Sequence, residues 1–561
     1  MPDHPARKRV SVVVTSLLSI IAVLASIVAI SMSVDTPIMA PPAAAQTTSD
    51  AAPSAAPDAA PAADASAPAE PAVEAPVVEG DVSQIRNVVL MYGDDLDWLL
   101  FNEVPRMREL MDRGTTLTNF VVTESLCCPS RASIYRGQYV HNHKVVSNMP
   151  ATGGGWQTFY DLGRQKECLP VWLSRAGVQT SHVGKYLNGF PGQQLKPTYT
   201  PPGWANFIST TRGPVAYTGY NYTLNTNGTL RKYGRAPGDF LEDVLTTKAA
   251  SLITSAREPF FLEFPSYLPH APAPAAPRFA GSRAGSTVPR PPNFNARGTS
   301  EPAWLREQRE LGPRQQANLD VLWTRRLESA ETLADSFHRL LATLEATGHA
   351  DDTLVIITSD NGYHVGTHRI PSGKHTPYRE DSVVPAVFIG PGIAQGVTID
   401  AMTSTIDLAP TIAALQGAET PTWLDGRDLM PLLTAPDTTP WRTGVLTENL
   451  APTTPDDPDY SGFEAPKYSA LRTTRYLYVN YGREQGAALY DLANDPYELD
   501  NIVSTTDPAI VAQLAEQTRA LAACRGDSCR VADSLPAGVP TLPEPEAPEP
   551  TATPSTAAPT P

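Results

Sequence analysis

Two pairs of hard oxygen donors, Asp94-Asp95 and Asp360-Asn361, each follow an apolar run with the character of a buried strand, residues 87–91 and 353–358. Ligands of open α/β sheets bind beyond the carboxyl ends of strands, so the two pairs can meet around one cation. Carboxylate and amide oxygens without an accompanying His or Cys suit Ca²⁺ better than zinc. Either pair alone is equally well explained as an Asx turn or a cap, and it is their combination that points to a metal. Between them in the chain lies a candidate nucleophile, Cys127, in Cys127-Cys128-Pro129-Ser130-Arg131. Residues 132–136 read as a helix closed by Gly137, and the N-terminal end of a helix favours bound anions.

The elements that must position these groups alternate. Strand-like runs cover residues 87–91, 115–122, 180–183, 259–264, 353–358 and 384–389; helical spacing covers 106–113, 170–176, 240–255, 315–349 and 406–415. That alternation predicts an α/β fold, a large, mostly parallel sheet sandwiched by helices. Residues 273–313, rich in Pro, Arg and Gly, read as an irregular surface excursion. Beyond residue 433 short strands at 468–472, 476–481 and 487–490, then a helix over 508–523, predict a small α+β C-terminal subdomain. The expected organisation is a signal peptide or signal anchor (1–34), a disordered spacer (35–84), a catalytic domain (85–433), the subdomain (434–532) and a disordered Pro-rich tail (533–561).

The ends account for much of the proline, 56 residues in 561. Arg7-Lys8-Arg9 before an apolar run directs export, by secretion or by anchoring at the outer face of the cell, with membrane or cell-wall attachment through the N-terminal segment. The Ala/Pro/Asp/Glu-rich spacer lacks the apolar surface to offset ordering entropy. A net charge of −16 excludes nucleic acid as a partner and leaves an anionic substrate to a few local cations. Of five cysteines, Cys524 and Cys529 bracket a short loop suited to a disulfide. If Cys128 also pairs with Cys168, Cys127 is left unpaired in an oxidising compartment.

Together these residues resemble the sulfatases of the alkaline-phosphatase superfamily, and most closely the N-acetylglucosamine-6-sulfatase and heparan endosulfatase-like members. The resemblance rests on the Cys127-to-Arg131 motif, Tyr139-Val140-His141-Asn142-His143, Gly184-Lys185-Tyr186-Leu187-Asn188, Pro269-His270-Ala271-Pro272, Ser359-Asp360-Asn361-Gly362-Tyr363-His364 and Leu489-Tyr490-Asp491-Leu492. It implies that a formylglycine-generating enzyme converts Cys127 to formylglycine, whose hydrate attacks the sulfur of a sulfate ester. It also implies that one Ca²⁺ is held by Asp94, Asp95, Asp360 and Asn361 together with the modified Cys127. Arg131 would then hold the hydrate, Lys185 and Lys374 the sulfate oxygens, and His270 would protonate the leaving alcohol. Many sulfatases carry a histidine two residues after the lysine, where this chain has Leu187. His141, His143 and His364 are therefore candidates for the second-step base or a substrate contact. The expected substrate is a sulfated sugar resembling N-acetylglucosamine 6-sulfate, or an aryl sulfate. The rivals are a phosphoester hydrolase of the same superfamily and a non-catalytic, surface carbohydrate-binding protein.

Overall fold

The computed structural model describes residues 78–211, 214–451, 454–457, 459–460, 462–463, 465–536 and 538. The expected signal segment, most of the spacer and most of the tail lie outside these residues. No helix among the described residues is long and apolar enough to cross a membrane.

The strands in chain order are β1 (Asn87–Gly93), β2 (Thr115–Val121), β3 (Gln179–Gly184), β4 (Asn206–Thr210), β5 (Thr223–Thr226), β6 (Thr229–Lys232), β7 (Phe260–Pro265) and β8 (Thr353–Ser359). They continue with β9 (His364–Val365), β10 (Ser372–Gly373), β11 (Val383–Ile389), β12 (Val397–Ile399) and β13 (Thr403–Ser404). The main sheet runs β12-β2-β11-β8-β1-β7-β3-β4-β5-β6, with β13 also on β2. Its centre, β8-β1-β7-β3-β4, is parallel as expected. β11 runs antiparallel to both its neighbours, and β4 to β6 form an antiparallel edge.

Every residue of β1 is buried. Val88, Leu90 and Tyr92 face one core and Val89 and Met91 the other, so the strand's continuous apolar run serves two layers. The first layer includes the helices Cys127–Arg136, Leu169–Arg175 and Leu408–Leu415; the second includes Leu241–Thr254 and the 35-residue helix Pro313–Thr347. The excursion over 273–313 is irregular apart from the short helix Ala303–Arg306.

A second sheet, β14 (Gly444–Asn449), β15 (Tyr468–Thr473), β16 (Tyr476–Asn480) and β17 (Ala487–Asp491), is wholly antiparallel and packs against the helix Pro508–Ala522. β14 escaped the sequence reading. It is tied to the segment ahead of Cys127, where Glu448 N donates to Thr123 O at 2.7 Å and Thr447 Oγ1 to Val122 O at 2.9 Å.

Three expectations need correction. The spacer does not extend to residue 84: Val78 bridges Ala394 and Val82–Gln84 form a 3₁₀ turn capped by Asp81. The tail does not begin at 533, because Asp533 is a buried carboxylate that receives Arg427 and lies 3.2 Å from Arg442 Nε. Cys128 and Cys168 are not bonded to each other. Both are free and buried in the same core, and burial pushes each thiol up to about 12. Cys524–Cys529 is a disulfide, as its spacing predicted.

Candidate active site

Strand register brings the donors together. Gly93 of β1 lies opposite Ser359 of β8, so Asp94 and Asp360 leave the sheet at the same level. β7 and β3 end beside them, delivering Lys185 directly after Gly184 and His270 five residues after Pro265. Gly184 has φ +150°, and a Cβ there would stand 2.0 Å from Pro265 O. Only glycine permits that approach, which lets Lys185 N donate to Pro265 O at 2.8 Å.

The helix carrying the candidate nucleophile begins at Cys127 rather than at Ala132. Pro129 falls in its first turn, where the missing N–H has no carbonyl to serve. Gly137, at φ +58°, closes it. Cys127 is fully buried. Its thiol donates to Asp94 Oδ1 at 3.3 Å and receives Lys374 Nζ at 2.8 Å. Burial, then Asp94, pushes this thiol well above its usual range against the pull of Lys185 and Lys374. An unmodified Cys127 is thus a poor thiolate nucleophile.

Asp94, Asp95, Asp360 and Asn361 are all buried. Lys185 Nζ reaches Asp94 Oδ2 at 2.6 Å, and Lys374 Nζ reaches Asp95 Oδ1 at 2.7 Å. Arg131 Nε donates to Asp360 Oδ2 at 2.7 Å and its Nη1 to Lys185 O at 2.8 Å, with Tyr92 stacked 5.0 Å from the guanidinium. Burial works to raise the Asp94 carboxyl, but Lys185, His270, Arg131 and Lys374 together hold it well below the usual range. Burial raises Asp360, with Arg131 opposing.

The donor set fits a hard cation. Asn361 Oδ1 is buried with no hydrogen-bond partner among the described residues, beside three carboxylates, while its Nδ2 donates to Asp95 Oδ1 at 2.7 Å. One donor atom from each of Asp94, Asp95, Cys127 and His270 lies within 4.8 Å of the others.

His270 has an acceptor at each ring nitrogen, Ala271 O at 2.7 Å from Nδ1 and Asp459 Oδ1 at 2.8 Å from Nε2. That geometry suits the imidazolium. Burial disfavours the charge, yet Asp95, Asp94 and Asp459 outweigh it and the pKa is raised.

Two participants escaped the sequence reading. Asp459 pairs with His270, receives Asn148 Nδ2 at 2.5 Å and lies 3.4 Å from Lys374 Nζ. Arg326, buried in the long helix, donates to Asp95 O and to Asp97 Oδ2, both at 2.7 Å, and so holds the turn in which Asp95 takes φ +67°. Its helical spacing gave no sign that it points beneath the site.

The three other candidate histidines are held elsewhere. His141 pairs with Glu448 at 2.6 Å and Cys524 O at 3.0 Å; His143 contacts Ser133 Oγ at 2.9 Å and receives Val145 N at 3.1 Å; His364 faces Asp381 at 2.9 Å. None of these bonds involves Cys127, its carboxylates or its lysines. Leu187 is packed into the core with Tyr186, Trp156 and Phe190.

Residues 86–418 match the family model described as Sulfatase, and residues 372–523 that described as N-sulphoglucosamine sulphohydrolase, C-terminal. Human N-acetylglucosamine-6-sulfatase is 32% identical over 477 residues, covering 79% of this chain and 86% of its own. The putative extracellular sulfatase Sulf-1 homolog of Caenorhabditis elegans is 32% identical over 388 residues, covering 65% of this chain and 53% of its own. A solved structure in complex with its substrate D-glucosamine-2-N,6-O-disulfate shares the fold at TM-score 0.66 and 20% identity, over 80% of this chain and 99% of its own. The phosphonate monoester hydrolase of Agrobacterium radiobacter shares it at TM-score 0.58 and 20% identity, over 78% of this chain and 96% of its own.

Proposed function

Because this chain belongs to the sulfatase family, we propose that it is an exported enzyme that hydrolyses 6-sulfate esters of glucosamine-type sugars. The observation that carries the reading is the setting of Cys127, whose Sγ lies 2.8 Å from Lys374 Nζ and 3.3 Å from Asp94 Oδ1, with a His270 ring nitrogen in the same cluster. The substrate class follows the relatives named N-acetylglucosamine-6-sulfatase. Export follows from the basic and apolar N-terminal segment of the sequence.

Formylglycine at position 127, installed by a formylglycine-generating enzyme, would supply a geminal diol, one oxygen to attack sulfur and a second hydroxyl to expel sulfate. Ca²⁺ held by Asp94, Asp95, Asp360 and Asn361 would polarise a sulfate oxygen and lower the pKa of the attacking hydroxyl.

The chain's own groups do the rest. Arg131 fixes Asp360 and the backbone of Lys185, and so sets the spacing between nucleophile and cations. Lys185 and Lys374 neutralise the non-bridging sulfate oxygens. His270, protonated at Nε2, gives that proton to the bridging oxygen as the S–O bond to the sugar breaks. The neutral imidazole left behind then takes the proton of the second hydroxyl. His270 fills the second-step role for which His141, His143 and His364 are wrongly held.

The test is peptide mass spectrometry across Cys127 after co-expression with a formylglycine-generating enzyme, paired with assays on N-acetylglucosamine 6-sulfate, an aryl sulfate and an aryl phosphate. The expected result is the aldehyde with preferential release of sulfate from the 6-sulfate. An unmodified thiol that nevertheless supports turnover, or preference for the phosphate by the aldehyde form, would overturn the reading.

A further inference from the structure

A second polar cluster lies outside the site, where the segment carrying Lys374 meets the excursion over 273–313 and the turn after β17. His368 stands six residues before Lys374 and Glu380 six after it; Glu498 comes from the turn and Asn293 from the excursion. One donor atom from each of His368, Glu380 and Glu498 lies within 4.8 Å of the other two.

His368 is 1% exposed, and neither ring nitrogen has a hydrogen-bond partner among the described residues. Its ring stacks on Tyr378 at 4.1 Å between centroids, which fixes the plane but meets neither nitrogen. Burial holds this imidazole down to about 4, so it is neutral at physiological pH, with one N–H and one bare lone pair. The carboxylates can accept the N–H; they have nothing to offer the lone pair.

Asn293 is an independent sign of the same deficit. Its Nδ2 donates to Glu380 Oε1 at 2.7 Å and to Tyr497 O at 3.4 Å, while its Oδ1 is buried without a partner among the described residues. Its backbone oxygen receives His368 N at 2.8 Å, which locks the two residues side by side.

Glu498 accepts Arg472 Nη2 at 2.6 Å on Oε1 and Arg379 N at 2.9 Å on Oε2. These donors leave each oxygen a second lone pair, and an arginine cannot satisfy either the imidazole lone pair or the amide oxygen through bonds it makes to Glu498. Burial raises both Glu380 and Glu498, with Arg472 opposing at Glu498. A lone pair of neutral imidazole, an orphaned amide oxygen and two carboxylates call for one positive centre among them.

We propose that His368, Glu380, Glu498 and the amide oxygen of Asn293 form a second divalent-cation site, of the imidazole-and-carboxylate type that takes Zn²⁺ or Mn²⁺, and that the ion clamps the Lys374 segment to the C-terminal region. Ligands about 2.1 Å from such an ion stand about 3–4 Å apart, so donor atoms that now lie within 4.8 Å of one another close on it with shifts of up to about an ångström. Glu380 is only half-buried and gives the ion its route from solvent. The donor chemistry separates this site from the all-oxygen set at Asp94, Asp95, Asp360 and Asn361.

The full chain, purified without chelator, is analysed for bound metals and then stripped. The stripped protein is titrated with Zn²⁺, and separately with Mn²⁺, with Ca²⁺ saturating throughout. About one equivalent of zinc or manganese is expected in the purified protein, and a rise in Tm of several degrees on adding it back to the stripped one. Both effects are lost in His368→Ala and kept in Asp95→Asn. If His368→Ala does not fold, Glu380→Gln serves in its place, with at least tenfold weaker binding expected. No bound metal together with no Tm response to either ion overturns the proposal. So does a crystal with an ordinary water beside His368 and no anomalous signal after soaking in Zn²⁺ or Mn²⁺.

Discussion

Asp459 shares the cations that the proposed mechanism assigns to a substrate sulfate. Its carboxylate is bonded to His270 and lies 3.4 Å from Lys374 Nζ and 3.8 Å from Cys127 Sγ. Burial opposes its charge, but Lys374, then His270, hold its carboxyl well below the usual range, so it is an anion across the working pH span. Two unit charges about 4 Å apart interact by about 4 kcal/mol at an effective dielectric of 20, and a third of that is already about tenfold in affinity. Asp459→Asn is therefore expected to lower the competitive Ki of inorganic sulfate by about tenfold or more. An unchanged Ki would remove Asp459 from the anion's path. Nothing local in the sequence marks this residue: Asp456-Asp457-Pro458-Asp459 reads as an ordinary polar loop, and only the tertiary fold brings it to the nucleophile. The proposed metal donors were legible because each pair terminates a strand whose apolar run is unmistakable.

At the scale of elements, parallel β1, β7 and β8 could be read because strands buried on both faces are largely apolar. The direction of β11 could not, since an apolar run is the same read either way, and β14, Gly-Val-Leu-Thr-Glu-Asn, was too mixed in composition to stand out. One position carries the consequence of strand packing into the site. At Gly184 an added methyl meets backbone, Pro265 O, and has no flexible neighbour to displace. Gly184→Ala should cost about 1–3 kcal/mol of stability and, by moving Lys185, lower kcat by at least about tenfold, measured by denaturant unfolding and initial rates. A variant with normal kcat would show that Lys185 is not set by this approach.

A second element-scale consequence concerns the pair His141–Glu448, which joins the short helix Val140–His143 to β14. Burial works against the charged imidazole, but the hydrogen bond and charge of Glu448 outweigh it and His141 is raised. Folding thus favours the protonated form. The stabilisation is complete below the unfolded value of about 6.5 and is lost as pH rises through the higher folded value. The Tm difference between the protein and Glu448→Gln should be larger near about pH 6 than near about pH 9. A difference that did not change with pH would show the pair to be neutral.

Over the whole molecule, the folded unit is organised around a concentration of buried charge that the apolar cores alone would not tolerate. Asp94, Asp95 and Asp360 face Lys185, Lys374 and Arg131 at the meeting of β1, β3 and β8, and the second sheet reaches the same place through Glu448 and the segment after β2. A Ca²⁺ on these carboxylates would compete with the lysines for the same oxygens and so free the ammonium groups for the sulfate. Its removal should therefore act on substrate binding as well as on chemistry, and on the stability of strand ends far apart in sequence. Chelation with EGTA is expected to abolish turnover, weaken sulfate binding by about tenfold and lower Tm by a few degrees, with all three restored by Ca²⁺ and not by Mg²⁺, which demands a tighter octahedral shell. Mutating Lys374 to Ala should remove the part of the binding loss that comes from the tied lysine, so that EGTA weakens sulfate binding less in the variant than in the native chain. An equal loss in both would mean that the ion binds sulfate without help from the lysine it releases.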